Sequence, residues 1–177
     1  MPTRKPILIA YYSLSGNTER VARDLATRLD ADLEEIHERK SRRGFFGLLG
    51  AAFDSLRQKP AQLLDPMKDP RGYSLVVVGT PVWAGRITPA ARTYLEWIRE
   101  RAAGIACFTT SAGPGPETIA SAIETLIAQK VVACTSFTQR DLRDAAAYGH
   151  KLDACVMAVK LRPMRRVDET GVTHAHA

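Results

Sequence analysis

Three hydroxyl side chains and a glycine occur within six residues, directly after the first apolar run of the chain at 7–12. The six residues are Ser13, Leu14, Ser15, Gly16, Asn17 and Thr18. Beyond them Val21, Leu25 and Leu29 recur at helical spacing, so a helix is predicted to begin at this turn. The N–H groups at the start of a helix and the helix dipole favour anions. The turn therefore predicts a phosphate site that works through hydrogen bonds, because it contains no Lys or Arg.

Two further polar segments follow apolar runs later in the chain. The first follows the run 75–78 and Gly79, and comprises Thr80, Pro81, Val82, Trp83, Ala84, Gly85 and Arg86. The second follows the run 105–109, and comprises Thr110, Ser111, Ala112, Gly113, Pro114 and Gly115. Ligands of an open parallel sheet bind beyond the carboxyl ends of its strands. We therefore expect the three segments to meet at one edge of the sheet.

Strand-like and helix-like patterns alternate along the chain. Strands are predicted at 7–12, 32–37, 75–78, 105–109 and 131–134. Helices are predicted from the first turn to about 29, at 89–101, from about 116, and at 141–161. The alternation predicts an α/β fold in which helices cover both faces of a five-stranded parallel sheet.

Length and composition bound the possible classes of protein. A chain of 177 residues with 45% hydrophobic and 25% charged residues is typical of one soluble domain, expected at 1–162, with a flexible tail at 163–177. No apolar run is long enough to span a membrane, and no export signal is recognised, so the expected location is the cytoplasm. Cys107, Cys134 and Cys155 form no CxxC pair and are expected to be buried free thiols, with no metal site.

The net charge of +6 is compatible with an anionic partner. The basic stretch 39–43 has no interleaved aromatic residues of the kind that stack on single-stranded nucleic acid, which disfavours a nucleic-acid partner. The segment 45–56 has apolar residues on one helical face. Three roles stay open for it: covering the core, covering a ligand, or contacting a partner.

The three polar segments together resemble the flavodoxin family. Residues 13–18 fit the phosphate-loop pattern [ST]-x-[ST]-G-x-T of that family. The segment 79–85 is similar to its first flavin-ring loop, and 110–113 is similar to the second. The resemblance extends in order from residue 6 to about 160. It implies a flavodoxin-like three-layer sandwich with strand order 2-1-3-4-5 and a bound FMN.

The resemblance also assigns roles to residues of the three segments. It implies that the FMN phosphate is held by Ser13, Ser15, Asn17 and Thr18, with backbone N–H groups of 14–18 (including Leu14) and close approach at Gly16. Trp83 would lie against the flavin ring, and the other residues of the first ring loop would line it: Thr80, Pro81, Val82, Ala84 and Gly85. The residues that would reach the polar edge of the ring are Thr110, Ser111, Ala112 and Gly113.

Two departures from typical flavodoxins leave the function open. The second ring segment has no aromatic residue, and the chain is basic rather than acidic. We therefore consider an electron-transfer protein with a protein partner, an acidic one suiting the charge, or an FMN-dependent NAD(P)H:quinone-type oxidoreductase. The third hypothesis is an interaction module of the same fold without a cofactor. Both a monomer and a homodimer are compatible with the sequence.

Overall fold

The computed structural model describes residues 7–39, 60–113 and 118–161. The apolar segment 45–56 and the tail 163–177 lie outside these residues. Within them the strands are β1 (Ile7–Tyr11), β2 (Asp32–Glu35), β3 (Leu75–Trp83), β4 (Arg86–Ile87), β5 (Ile105–Ser111) and β6 (Cys134–Thr138). Five strands form a parallel sheet in the order β2-β1-β3-β5-β6, which confirms the predicted order of the five main strands. The short strand β4, which pairs antiparallel with the end of β3, was not predicted.

Helices cover both faces of this sheet, as predicted. They are α1 (Asn17–Leu29), α2 (Pro89–Ile98), α3 (Ile119–Ile127), α4 (Gln139–Arg143) and α5 (Ala145–Lys160). Most buried residues of α1 and α5 belong to one apolar cluster, and most of those of α2 and α3 belong to a second. None of the helices that the structure describes has the length and apolarity needed to cross a membrane.

The first strand shows why the central strands are continuously apolar. Ile7, Ile9 and Tyr11 belong to the cluster beneath α1 and α5. Leu8 and Ala10 alternate with them and belong to the cluster on the opposite face. Because successive side chains of a strand point to opposite faces, a strand covered by helices on both sides needs apolar residues at every position.

Several predicted boundaries were wrong. The fifth parallel strand is Cys134–Thr138 rather than 131–134. Its pairing with β5 runs from Cys107 opposite Cys134 to Ser111 opposite Thr138, at the carboxyl ends of both strands. The helix predicted at 141–161 is broken at Asp144, whose backbone is extended and whose carboxylate accepts hydrogen bonds from the first N–H groups of α5. Five predicted ends also move. The first strand ends at 11, the second ends at 35, the third continues to 83, the strand from 105 continues to 111, and the helix from 89 ends at 98.

The three cysteines are free, as expected, and two of them are neighbours in space. Cys107 and Cys155 are buried as predicted, whereas Cys134 is only half-buried. Cys107 of β5 and Cys134 of β6 are directly paired in the parallel ladder. A hydrogen bond between their thiols raises the pKa of Cys107, and the same bond lowers the pKa of Cys134. Cys155 lies in the apolar cluster on the other face, and burial raises the pKa of its thiol.

A glycine in the centre of the sheet makes room for an aromatic ring. Gly79 of β3 pairs with Phe108 of β5, and a Cβ built on Gly79 would lie 2.2 Å from Cζ of Phe108. The Phe108 ring is fully buried and meets Phe137 edge to face, at a centroid distance of 6.3 Å. Phe137 in turn contacts Tyr148 of α5. The missing side chain at 79 thus allows an aromatic row that joins the sheet to α5.

We expect Gly79→Ala to lower the free energy of unfolding by about 1–3 kcal/mol, because the new methyl group overpacks against Phe108. The measurement is urea denaturation followed by circular dichroism. Gly149→Ala is the matched control: an added Cβ there meets no atom within 4 Å, and the residue lies inside α5. It should stabilise the protein by about 0.5–1 kcal/mol. Equal effects of the two substitutions would contradict this packing account.

Candidate functional site

The turn after β1 is closed by the side chain of its first residue. The Ser13 hydroxyl oxygen accepts hydrogen bonds from the N–H groups of Gly16 at 3.2 Å and of Glu19 at 3.3 Å. Gly16 precedes α1 with a φ of 86°, a left-handed conformation that favours glycine. The next two N–H groups, of Asn17 and Thr18, belong to the first helical turn, where no intrahelical acceptor exists. An added Cβ on Gly16 would meet no atom within 4 Å, so the space at this helix start is open.

The side chains that the resemblance assigns to the phosphate differ in their accessibility. Ser15 is exposed and Asn17 is half-buried. Thr18 is only 2% exposed, and its hydroxyl forms a 2.8 Å hydrogen bond with the hydroxyl of Thr110 at the end of β5. Ser15 and Asn17 are therefore the more accessible side chains, and Thr18 is buried in its bond with Thr110. Ser13 closes the turn as an acceptor only, so its own O–H is still a possible donor.

A carboxylate in the first turn of α1 is neutralised within the helix. Glu19 forms an ion pair with Arg23 at 2.8 Å, four residues further on. A negative charge in the first turn suits the helix dipole but repels an anionic ligand. The ion pair reduces that repulsion, so the start of α1 retains its preference for anions.

The segment after β3 is a hairpin rather than the loop that the sequence suggested. Strand β3 continues to Trp83, which pairs with Arg86 of β4. The two residues between them, Ala84 and Gly85, have φ values of 48° and 74°. Positive φ at both central residues is the signature of a type I′ turn, which joins antiparallel strands tightly.

Trp83 packs against Tyr12, the residue that precedes the turn 13–18. Its ring meets that of Tyr12 edge to face, with a centroid distance of 6.0 Å and an interplanar angle of 78°. Tyr12 is itself fixed by a backbone hydrogen bond from its N–H to the carbonyl of Gly79 at 3.0 Å. The indole is half-buried, so one part is packed while another stays accessible at the sheet edge.

Thr80 connects the hairpin to α2. It is fully buried, and its hydroxyl lies 3.0 Å from the hydroxyl of Thr88 and donates to the carbonyl of Pro81. Thr88 caps α2 by accepting a hydrogen bond from the N–H of Ala91. The side chain of Thr80 is thus occupied within the protein, and the exposed tip of the hairpin is formed by Ala84 and Gly85.

The second ring segment lies next to the hairpin. Pro81 of β3 pairs with Thr110 of β5. After Thr110, the Ser111 hydroxyl donates to the carbonyl of Gly113, and Ala112 is exposed. An added Cβ on Gly113 would meet no atom within 4 Å. The structure therefore brings residues of all three predicted segments to one edge of the sheet.

An open cavity of about 500 Å³ adjoins this segment. It is lined by Ala112, Gln139, Arg140, Arg143 and Asp144. Of these only Ala112 was predicted to belong to a site. The charged residues follow the fifth parallel strand directly. Because the sequence predicted that this strand ends at 134, they were not expected at the carboxyl ends of the strands.

The short helix α4 is held firmly beside this cavity. Thr138 and Asp141 form a capping box at its start. Lys151 of α5 donates to Asp141 at 2.6 Å and to the carbonyl of Ser136 at 3.0 Å. Burial alone would raise the pKa of Asp141, but hydrogen bonds from Lys151 and Thr138 outweigh it and lower the pKa to about 2. Asp141 is therefore ionised at neutral pH and keeps α4 in place.

No protein-family model and no curated protein matches the sequence. Solved structures do match. A flavoprotein from Lactobacillus acidophilus NCFM in complex with FMN has a TM-score of 0.64 and 24% identity, with 78% of this chain and 97% of that chain covered. The apo form of the flavoprotein from the same organism has a TM-score of 0.59 and 22% identity, with 80% of this chain and 97% of that chain covered.

The comparison with oxidised flavodoxin 1 from Bacillus cereus gives a TM-score of 0.50 at 16% identity, with 89% of this chain and 99% of that chain covered. The chain has a flavodoxin-like fold. At these identities the similarity establishes the architecture, with the predicted strand order and helices on both faces. The use that this flavodoxin-like chain makes of its sheet edge must be argued from its own residues.

We expect the buried hydroxyl pair to couple the first and third segments energetically. Thr18→Val or Thr110→Val alone leaves the partner hydroxyl buried without a hydrogen bond, which should cost about 1–3 kcal/mol of unfolding free energy. The double variant should cost less than the sum of the two, as measured by urea denaturation in a double-mutant cycle. Thr27→Val is the control, because the Thr27 hydroxyl is exposed and bonds only within α1. Additive effects of the two buried substitutions would show that the pair is not coupled.

Proposed function

We propose that the protein binds FMN at the sheet edge and transfers electrons through the flavin to a protein partner. The observation that carries the proposal is the start of α1. There a left-handed Gly16, beside which the space is open, precedes two helical N–H groups that have no intrahelical acceptor. The same edge carries Trp83 and the segment 110–113, which supply an aromatic surface and polar groups. The flavoprotein from Lactobacillus acidophilus was crystallised with FMN, which agrees with this choice of ligand.

The phosphate would be bound without a cation from the turn. The N–H groups of Asn17 and Thr18 would donate hydrogen bonds to the phosphate at the helix start, where the dipole favours an anion. The accessible side chains of Ser15 and Asn17 add donors. Gly16 permits the oxygens to come close to the backbone, since no Cβ occupies that space.

The ring would be held between the hairpin and the end of β5. Trp83 offers an aromatic face, and its contact with Tyr12 restricts its orientation. The type I′ turn at Ala84 and Gly85 presents backbone groups at the hairpin tip. Bound FMN supplies one- or two-electron redox chemistry, while the protein binds it, orients it and limits its contact with water.

The charge of the chain indicates the kind of protein partner. A net charge of +6 attracts an acidic surface and repels a basic one, and long-range attraction raises the rate of association. We therefore propose an acidic redox partner.

The protein should bind FMN and become yellow, with flavin absorbance near about 450 nm. Gly16→Ala should weaken binding because it places a methyl group and backbone strain at the phosphate cradle. Trp83→Leu should weaken it by about 2–12-fold, which corresponds to an aromatic contact of about 0.5–1.5 kcal/mol. Dissociation constants are measured by quenching of flavin fluorescence.

Trp97→Leu is the matched control for these titrations. Trp97 of α2 packs against Tyr94 of the same helix and against Arg101, which follows the helix, away from the three segments. It should leave the affinity for FMN unchanged. A protein that takes up no FMN would refute the proposal and favour a cofactor-free interaction module.

A second function is favoured by the small side chains of the second ring segment. Thr110, Ser111, Ala112 and Gly113 contain no aromatic ring that could cover the flavin on that side. An uncovered ring face is accessible to small substrates, so an FMN-dependent NAD(P)H:quinone-type oxidoreductase is the alternative proposal.

This alternative predicts steady oxidation of NADPH by the FMN-loaded protein in the presence of a soluble benzoquinone. NADPH and one proton are consumed, the quinone is reduced to the hydroquinone, and NADP⁺ is released. The measurement is the loss of absorbance at about 340 nm, which reports the reduced nicotinamide. If NADPH leaves the flavin absorbance of the loaded protein unchanged, the enzyme hypothesis fails and the carrier hypothesis remains.

A further inference from the structure

The cavity beside Ala112 carries positive charge that no described contact uses. Arg140 and Arg143 lie three residues apart on α4, so they are neighbours on its surface, and both are exposed. Within 7–39, 60–113 and 118–161, neither guanidinium forms an ion pair or a side-chain hydrogen bond. The carboxylate of Asp144, in the same wall, already accepts two hydrogen bonds from the N–H groups of Ala146 and Ala147. The cavity is therefore lined by two guanidinium groups without a described side-chain partner and by one carboxylate that caps α5.

The backbone of α4 beneath these arginines is held by contacts from three neighbouring elements. An isolated helix of this length is unstable in water, so α4 depends on its neighbours. Besides the capping box and Lys151, Arg20 of α1 donates to the carbonyl of Leu142 at 3.0 Å, and Leu142 is buried. Arg20 also lies over the ring of Tyr148, 4.4 Å from its centroid. The helix is thus anchored from α1, α5 and β6, while Gln139, Arg140 and Arg143 point to solvent.

The location of the cavity connects it to the proposed flavin site. Ser111 of β5 and Thr138 of β6 are paired at the carboxyl ends of the two strands. Ala112 and Gln139 follow these residues directly, and both line the cavity. The cavity therefore opens next to the segment proposed to reach the polar edge of the ring.

The volume and chemistry of the cavity indicate a class of ligand. The cavity is wide open to solvent, and its volume of about 500 Å³ lies in the range of small-molecule sites. Two guanidinium groups suit an anion that carries negative charge and has several acceptor oxygens on one atom. A dianionic phosphomonoester has both properties. Gln139 adds an amide that can donate or accept.

We propose that this basic cavity binds the phosphomonoester of a nicotinamide dinucleotide phosphate, and that Arg140 and Arg143 make the protein prefer NADP(H) to NAD(H). The inference rests on the proposed flavin site, since a flavin with an accessible face needs an electron donor. It assigns the 2′-phosphate to the arginines and leaves the rest of the dinucleotide on the side of Ala112. An Arg near the 2′-phosphate is a general means of recognising NADP(H).

The test is calorimetric titration of the full chain, with and without FMN, using NADP⁺, NAD⁺ and inorganic phosphate as separate probes. We expect NADP⁺ to bind at least about tenfold more tightly than NAD⁺, as two charge-assisted contacts would give. The double variant Arg140→Gln with Arg143→Gln should lose that preference. The variant Arg140→Lys with Arg143→Lys keeps the charge but not the fork and should retain part of it.

The control removes the same charge from the opposite edge of the sheet. Arg71 precedes β3 and Arg99 precedes β5, and each lies in an exposed ion pair. Arg71→Gln with Arg99→Gln should keep the full preference for NADP⁺. An equal loss in this control would show that only the overall charge matters and would overturn the assignment.

Other outcomes also decide between the proposals. Failure of the wild-type protein to prefer NADP⁺, or inorganic phosphate binding as tightly as NADP⁺, would overturn the inference. Circular dichroism and FMN titration of each variant report folding and the flavin site independently. FMN binding without NADP⁺ preference refutes the cavity assignment alone, whereas absence of FMN binding refutes the proposed function.

Discussion

The buried hydrogen bond between the hydroxyl groups of Thr18 and Thr110 is the contact on which the candidate site depends. It joins the first turn of α1 to the end of β5, across the intervening strand β3. Both residues are almost completely buried, so each hydroxyl needs the other as a partner. This contact links the start of α1 to the end of β5, from which the segment at Ala112 continues.

Much of the fold could be predicted because its central strands are buried on both faces. β1, β3 and β5 are therefore continuous apolar runs that stand out in the sequence. β6 is the outermost strand of the sheet on its side, and only Phe137 of its residues is buried. Because most of its other residues carry hydroxyl groups, it has no apolar run that could be recognised in the sequence. Its position follows from the ladder to β5, which is a tertiary property. The neighbouring run at 131–134 has the stronger local pattern and misled the prediction.

The sequence predicted where the candidate site lies, but not which contacts its individual residues make. The sequence indicates that Ser13, Ser15 and Thr18 carry hydroxyl groups, but not that the Ser13 oxygen closes the turn or that Thr18 is bonded to Thr110. It indicates a polar segment at 80–86, but not a hairpin with two positive φ angles. Arg140 and Arg143 carry no motif at all. Their place at the edge depends on the register of β6 and on the break at Asp144, which only long-range contacts determine.

The contact between Gly79 and Phe108 has a consequence for the evolution of this chain. The ring of Phe108 occupies the volume that a side chain at 79 would need, so the two positions share one volume across neighbouring strands. A larger residue at 79 is compatible only with a smaller residue at 108. Homologous sequences should therefore vary at these positions together, and the pair should mark which of them keep the aromatic row to α5.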